Sequence, residues 1–274
     1  MKKTMFVIIS ALLVSSCSPG KKNTGEKAPA VFDPTPVFCA IEKERQGEKP
    51  SFAVIDSLYT AGLSAFVKST DPLSDSVIAA AVANAKKGAD PEVNSELVNK
   101  TIQKVFFNDV MNCLETCAGE SDSGSFFGDI TKIDNDYGVL SPTVIRRSAW
   151  IGKERELDDM CRMHIRALKS SFNDKPEKEK GLETLRNALK QAFALSVLFE
   201  LEGIAENRGK DNEKCKEKEV EGRTYFEIVG KYAGSDSLKS LIQSGFAKGY
   251  EDMDIEKMQK MVSEAFNVGV PEKL

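Results

Sequence analysis

The chain holds a single histidine, His164, and that closes off several kinds of chemistry at once. A metalloprotease helix needs two histidines, and a multi-histidine metal centre needs at least as many. Any Ser-His or Cys-His nucleophile would have to use His164, and no G-x-S-x-G elbow occurs in the sequence. His164 shares a helical stripe with Leu157, Met160, Cys161 and Leu168, so the expectation is a buried histidine with a structural role. The run MCRMH, residues 160–164, gathers thioether, thiol and imidazole donors within one turn, the soft set that suits Cu(I). Met160 and Met163 point to different sides of Cys161 on a helix, however, and core methionines are common.

Carboxylates offer a harder donor set. Glu115 and Glu202 each lie nine residues after a phenylalanine, Phe106 and Phe193, in helices of similar pattern. Glu200 and Glu206 sit beside the second of these, and Glu219, Glu221, Tyr225 and Glu227 follow on the next helix. Glu115, Glu202, Glu206 and Glu221 are therefore the candidate ligands for an all-oxygen site holding iron or another divalent metal. The Glu-x-x-His pair usual in metal-binding bundles is absent, and solvated helix-end glutamates are the competing reading. The sequence implies no other cofactor.

Five cysteines, Cys39, Cys113, Cys117, Cys161 and Cys215, lie in the body of the chain. In an oxidising compartment disulfides are the default expectation for all five. Cys113 and Cys117 are one helical turn apart, where a bridge would be strained, so each is expected to pair elsewhere. Cys215 lies in KDNEKCKEKE, which reads as solvated, and Cys117 is its first-choice partner. Two bridges and one buried thiol make the simplest outcome, with a Cys-x3-Cys metal site as the competitor.

The elements that must position these residues are helices. Apolar residues make up 41% and charged residues 29% of 274, ordinary for a globular chain with a real core. Ser51 precedes an amphipathic run, Asp90-Pro91-Glu92 reads as cap, first-turn proline and first-turn acid, and Ser141-Pro142 repeats that signal ahead of a helix to about residue 172. Further helices are predicted near 181–206, 211–232, 235–248 and 254–268, the last capped by Asp254. Few strand-like alternations compete, so the fold class is all-α: a multi-helix bundle or helical-hairpin array over 37–274. Residues 118–140, rich in Gly, Ser and Asp, are predicted to form one long loop dividing that part into 37–117 and 141–274, with DNDYG, residues 134–138, as turn chemistry. Similar segments align on Phe106, Phe193 and Phe266, and Lys87-Gly88 and Lys248-Gly249 precede the first and last of them, which raises an internal duplication.

The N-terminus carries the most specific signal. MKKTMFVIISALLVSSC has two lysines, then a largely apolar run about half the length of a membrane-spanning helix, then small residues before Cys17. Val14-Ser15-Ser16-Cys17 resembles the lipobox of bacterial lipoprotein precursors. The resemblance covers residues 1–20 and implies a signal peptide cleaved after residue 16, leaving Cys17 acylated on its sulfur and its new amine. Two or more acyl chains anchor a protein stably. Residues 17–36, rich in Pro, Gly and Lys, are then a lipidated cysteine and a tether. The implied location is a bacterial envelope membrane, with Ser18 after the cysteine pointing to the outer membrane in the enteric pattern. Losing Lys2 and Lys3 would leave 36 basic against 42 acidic side chains, a net of about −6, with no electrostatic footprint for nucleic acid. The functional expectation is a non-enzymatic binding or structural module with the membrane, and an envelope protein, as partners. A metal-handling protein is the alternative.

Overall fold

The computed structural model describes residues 32–269, and every regular element among them is helical. In order these are α1 (Thr35–Arg45), α2 (Phe52–Gly62), α3 (Ser64–Thr70), α4 (Pro72–Lys86), α5 (Pro91–Gly119), α6 (Ser123–Trp150), α7 (Glu156–Leu168), α8 (Lys175–Asn207), α9 (Asn212–Val229), α10 (Asp236–Ala247), α11 (Gly249–Asp252) and α12 (Ile255–Phe266), with a 3₁₀ turn Gly230–Tyr232 after α9. The chain is thus an all-α multi-helix bundle. Cys17, the signal-like stretch 1–16 and the first part of the expected tether lie outside the described residues. Residues 32–36 do not behave as tether: Phe32 packs on Phe66 with ring centroids 5.7 Å apart, and α1 already starts at Thr35.

Helix starts follow local side-chain chemistry. Ser51, Asp71, Asp122, Asp174, Asp211, Ser235 and Asp254 each accept a hydrogen bond from the backbone N–H three residues on, satisfying a donor that no helical carbonyl can reach. Asp90 departs from the pattern. Its backbone is left-handed (φ 39°), its side chain caps nothing, and Asn94 instead donates to the carbonyls of Ala89 and Asp90. The predicted helix after Ser51 breaks at Leu63 into α2 and α3.

The two longest helices, α5 and α8, form the centre. They pack against each other and both against α6 and α9, and Phe107 of α5 meets Phe193 of α8 at 4.6 Å between ring centroids. Tyr225 of α9 closes edge-on against Phe193 at 5.8 Å. Such aromatic pairs add about 0.5–1.5 kcal/mol each beyond the area they bury. The peripheral α1–α4 cover one side of α5 and α6, while α10–α12 pack on α8 and α9.

The long loop expected at 118–140 does not exist: from Ser123 onward this interval is the first half of α6. Phe126, Ile130, Ile133, Tyr137, Leu140 and Val144 are fully buried at alternating spacings of four and three, a helical period hidden among small polar residues. Gly138 serves the packing, because a Cβ there would overlap the Thr35 hydroxyl of α1, which donates to the Asn135 carbonyl. DNDYG is therefore helix rather than turn. Pro142 lies inside α6 instead of opening a helix, and Ser141 hydrogen-bonds Asp158 of α7 rather than capping.

All five body cysteines are unpaired thiols, so no disulfide forms among the described residues. Cys215 is buried, not solvated, with its Sγ directed at the Ile204 carbonyl of α8 (3.8 Å). Cys113, Cys117 and Cys161 are core residues of the bundle, and Cys39 alone is exposed. The charged sequence around Cys215 misled because α9 turns that residue inward between its lysines. His164 is half-buried beside the stripe, whose inner position is Ile165.

Candidate functional site

Where α1, α5, α6, α8 and α9 converge, the core contains charges. Lys100 of α5 is 3% exposed and sits between two carboxylates, Glu96 at 2.9 Å and Glu221 of α9 at 3.0 Å. Glu221 also meets Lys218 (3.2 Å), which reaches Glu200 of α8 (2.8 Å). Glu200, fully buried, accepts from Arg147 of α6 at 2.9 Å, and Arg147 donates its Nε to the Ser196 hydroxyl at 3.1 Å. At the other end Glu96 pairs with Arg45 of α1, which Glu42 holds at 2.9 Å. The result is one alternating chain, Glu42, Arg45, Glu96, Lys100, Glu221, Lys218, Glu200, Arg147, threading five helices.

Two glycines make the chain possible. At Gly203 a Cβ would lie 2.9 Å from Lys218 Cδ, so the lysine stem crosses α8 over this bare backbone to reach Glu200 one turn away. At Gly222 a Cβ would lie 3.2 Å from Glu200 Cβ and from the Phe246 ring, so α9 can approach α8 closely enough to set Glu221 beside Glu200.

The electrostatics follow from burial and alternation. Burial alone would push the Lys100 ammonium down, yet Tyr225, Glu221 and Glu96 beside it hold it above the ordinary lysine value. Burial would raise Glu221, but Lys100 and Lys218 pull it down to about 2. Glu200 goes the other way: burial and the neighbouring Glu221 raise it against the pull of Arg147, Lys218 and Lys100. Lys100 Nζ also lies 5.2 Å from the centre of the Tyr225 ring, and the buried Tyr225 hydroxyl makes no hydrogen bond among the described residues.

Above this floor lies an open cleft of about 430 Å³, walled by Arg146, Ala149, Phe199 and Glu217. Phe199 stacks on the Arg147 guanidinium at 3.8 Å and is itself braced edge-on by Trp150 at 5.4 Å. A second cleft of about 560 Å³, between Pro50, Phe52, Pro91 and Lys214, shares Arg45, Glu96 and Glu217 with the first. This size suits a small organic ligand.

Of the four glutamates selected from sequence, the structure brings only Glu221 into this site. Glu115 is exposed, near Lys231 and Tyr232. Glu202 accepts from Gln259 of α12 at 3.0 Å, and Glu206 is exposed at the end of α8. A different set converges: single carboxylate oxygens of Glu96, Glu217 and Glu221 lie within 4.8 Å of one another. Lys100 contacts two of these and Lys214 the third, at 2.7 Å, so ammonium groups supply the positive charge a metal ion would bring. The soft-donor run 160–164 does not converge either: Cys161 is buried and Met163 is 56% exposed.

Sequence reasoning missed Glu96, Lys100, Arg147 and Lys218. Glu200 stands inside VLFEL and Arg147 inside TVIRRSAW, and an ionisable residue within an apolar run is the signal that was there to be used. Fold and site together define an all-helical bundle with a charged cleft. No family model, curated protein or solved structure matches the chain.

Proposed function

We propose that the protein is a binding module of a bacterial envelope, tethered by a lipidated Cys17 and offering the cleft over the ionic chain as its binding site. The observation that carries the binding half is the floor itself. Buried ion pairs stabilise a fold less well than apolar residues of equal volume, so eight linked charges beneath an open cleft favour recognition over stability as their role. The tether half rests on residues 5–17, whose short apolar run and small residues precede the cysteine. No helix among the described residues is long and apolar enough to cross a membrane, so on this reading attachment falls to the acyl chains.

Two measurements on protein from its native cells test this reading. Intact mass should show a chain beginning at Cys17 and carrying acyl groups, and a retained Met1 or an unmodified Cys17 overturns the tether. Crosslinking in the native envelope should recover a reproducible partner or ligand that contacts cleft residues. Its absence at every growth stage overturns the binding role.

A further inference from the structure

We infer that the cleft takes a small zwitterion bearing a carboxylate and an ammonium group, an amino acid or the ends of a short peptide. This rests on the reading of the cleft as the binding site and names its ligand class. The floor is already neutralised: each buried acid and base in it has an oppositely charged partner within the chain described above. A ligand must therefore be recognised by the wall residues Arg146 and Glu217, which lie outside that chain and have opposite signs, with the floor groups beside each of them in support.

The basic pole is Arg146 with Arg147. Arg146 is exposed and makes no ion pair among the described residues; one amino group donates to Thr143 Oγ1 at 3.2 Å, and Thr143 donates in turn to Gln103 Oε1 at 2.8 Å. That pins the guanidinium and leaves most of its donors uncommitted. Arg147 spends Nε on Ser196 and Nη2 on Glu200, keeps Nη1, and has one face covered by Phe199, so only its edge can reach a ligand. Two guanidinium edges on one cleft wall suit a carboxylate.

The acidic pole is Glu217, whose oxygens are both held by Lys214 Nζ, at 2.7 and 2.8 Å. The Lys214 side chain is 41% exposed, so this ammonium can swing into water and a ligand ammonium can replace it without changing the charge balance. Glu96 and Glu221 lie within reach of the same point. A phosphate or polycarboxylate would meet these acids, and a simple cation would meet the arginines. A molecule carrying one charge of each sign meets neither penalty.

Calorimetric titration of the full-length chain in detergent tests the inference. The probes are the twenty proteinogenic amino acids singly and trialanine, at millimolar concentration, with N-acetyl and carboxamide forms of whichever binds best. At least one free zwitterion should bind. Charge-assisted hydrogen bonds of this kind correspond to roughly 10–100-fold in affinity. Arg146→Ala and Glu217→Gln should each weaken binding by about that factor, as should capping either end, with Arg146→Lys falling between. Unchanged circular dichroism of the Arg146 variants verifies that the fold is intact. Binding by no probe, equal binding by Arg146→Ala, or equal binding of the N-acetyl form overturns the ligand class. A protein that shows no amino-compound binding yet yields a crosslinked cleft partner overturns this inference alone, whereas an unmodified Cys17 overturns only the tether.

Discussion

Lys100 is buried in the floor of the cleft, and its charge persists there because Glu96 and Glu221 both lie within 3.0 Å. Removing it takes from Glu96 and Glu221 one of the two cations that each has, leaving Arg45 and Lys218 as their remaining partners. Lys100→Met should destabilise the fold by about 3–5 kcal/mol, the usual size for breaking a buried pair. Lys153→Ala, which breaks an exposed pair with Glu156, should change stability by less than about 0.5 kcal/mol. Urea unfolding followed by circular dichroism measures both, and equal losses would show that burial of the chain has been overstated. The thiols make a second expectation at this scale. Burial pushes Cys113, Cys117 and Cys161 up to about 12, which leaves almost no thiolate at neutral pH. In a Cys17→Ser background, an aromatic disulfide reagent should therefore titrate one thiol, Cys39, in the native protein and five after denaturation. Two or more fast thiols in the native protein would contradict the packing of these helices.

Between helices the decisive residues are those that have no side chain. Alanine normally favours a helix interior over glycine by about 1 kcal/mol, but at Gly203 a methyl group would displace the Lys218 stem and pull its ammonium from Glu200. Gly203→Ala should therefore fail to stabilise the protein, whereas in a Lys218→Ala background it should add about 1 kcal/mol. Thermal melts of the four proteins close that cycle, and additivity within about 0.3 kcal/mol would rule out the crossing as the reason for the glycine. The same helices show how far the sequence could be read. The all-α class and the caps at Ser51 and Asp254 were legible because apolar period and cap chemistry agree there, as was α8 from Gly181 onward, though its first turns after the Asp174 cap were not. In α6 they conflict: Gly, Ser and Asp mark a loop, while the buried residues from Phe126 to Val144 keep helical spacing, and tertiary burial decides. In α9 the run KCKEKEVEGR looks solvated, yet Cys215, Lys218, Glu221 and Tyr225 share its inner face. Sequence alone gives no sign that two other helices, α5 and α8, supply opposite charges there. Of the site, Glu221 was legible as a candidate ligand and Glu200 as an acid beside the candidates, whereas their buried basic partners Lys100, Lys218 and Arg147 were not, because clustered glutamates point to a metal ion as readily as to a lysine.

Across the whole molecule the ionic chain ties α1, α5, α9, α8 and α6 into one electrostatic unit, so its titration should be felt globally rather than at one helix. Glu221 dominates the acid side. Its folded pKa of about 2 lies below the ordinary 4.5, so its contribution is present in full above the ordinary value and is lost as pH falls from about 4.5 toward 2. A shift of that size corresponds to about 3 kcal/mol. Glu96 is lowered and acts in the same direction. Glu200 is raised, so its contribution runs oppositely, present below the ordinary value and lost as pH rises through the folded one. Comparing wild type with Glu221→Gln reads the Glu221 window between about pH 4.5 and 2, although the variant also relieves Glu200 and Glu96 of the Glu221 charge and so shifts their own titration. At pH 6 the variant should be the less stable by several kcal/mol. Between about pH 4.5 and 2 the gap should shrink by about 3 kcal/mol, as the wild type loses what the variant never had. Denaturant unfolding at stepped pH measures the gap. A constant gap over this range would mean that the folded protein does not hold Glu221 below the ordinary carboxylate value, so that Lys100 and Lys218 do not stabilise its charge as the alternation requires.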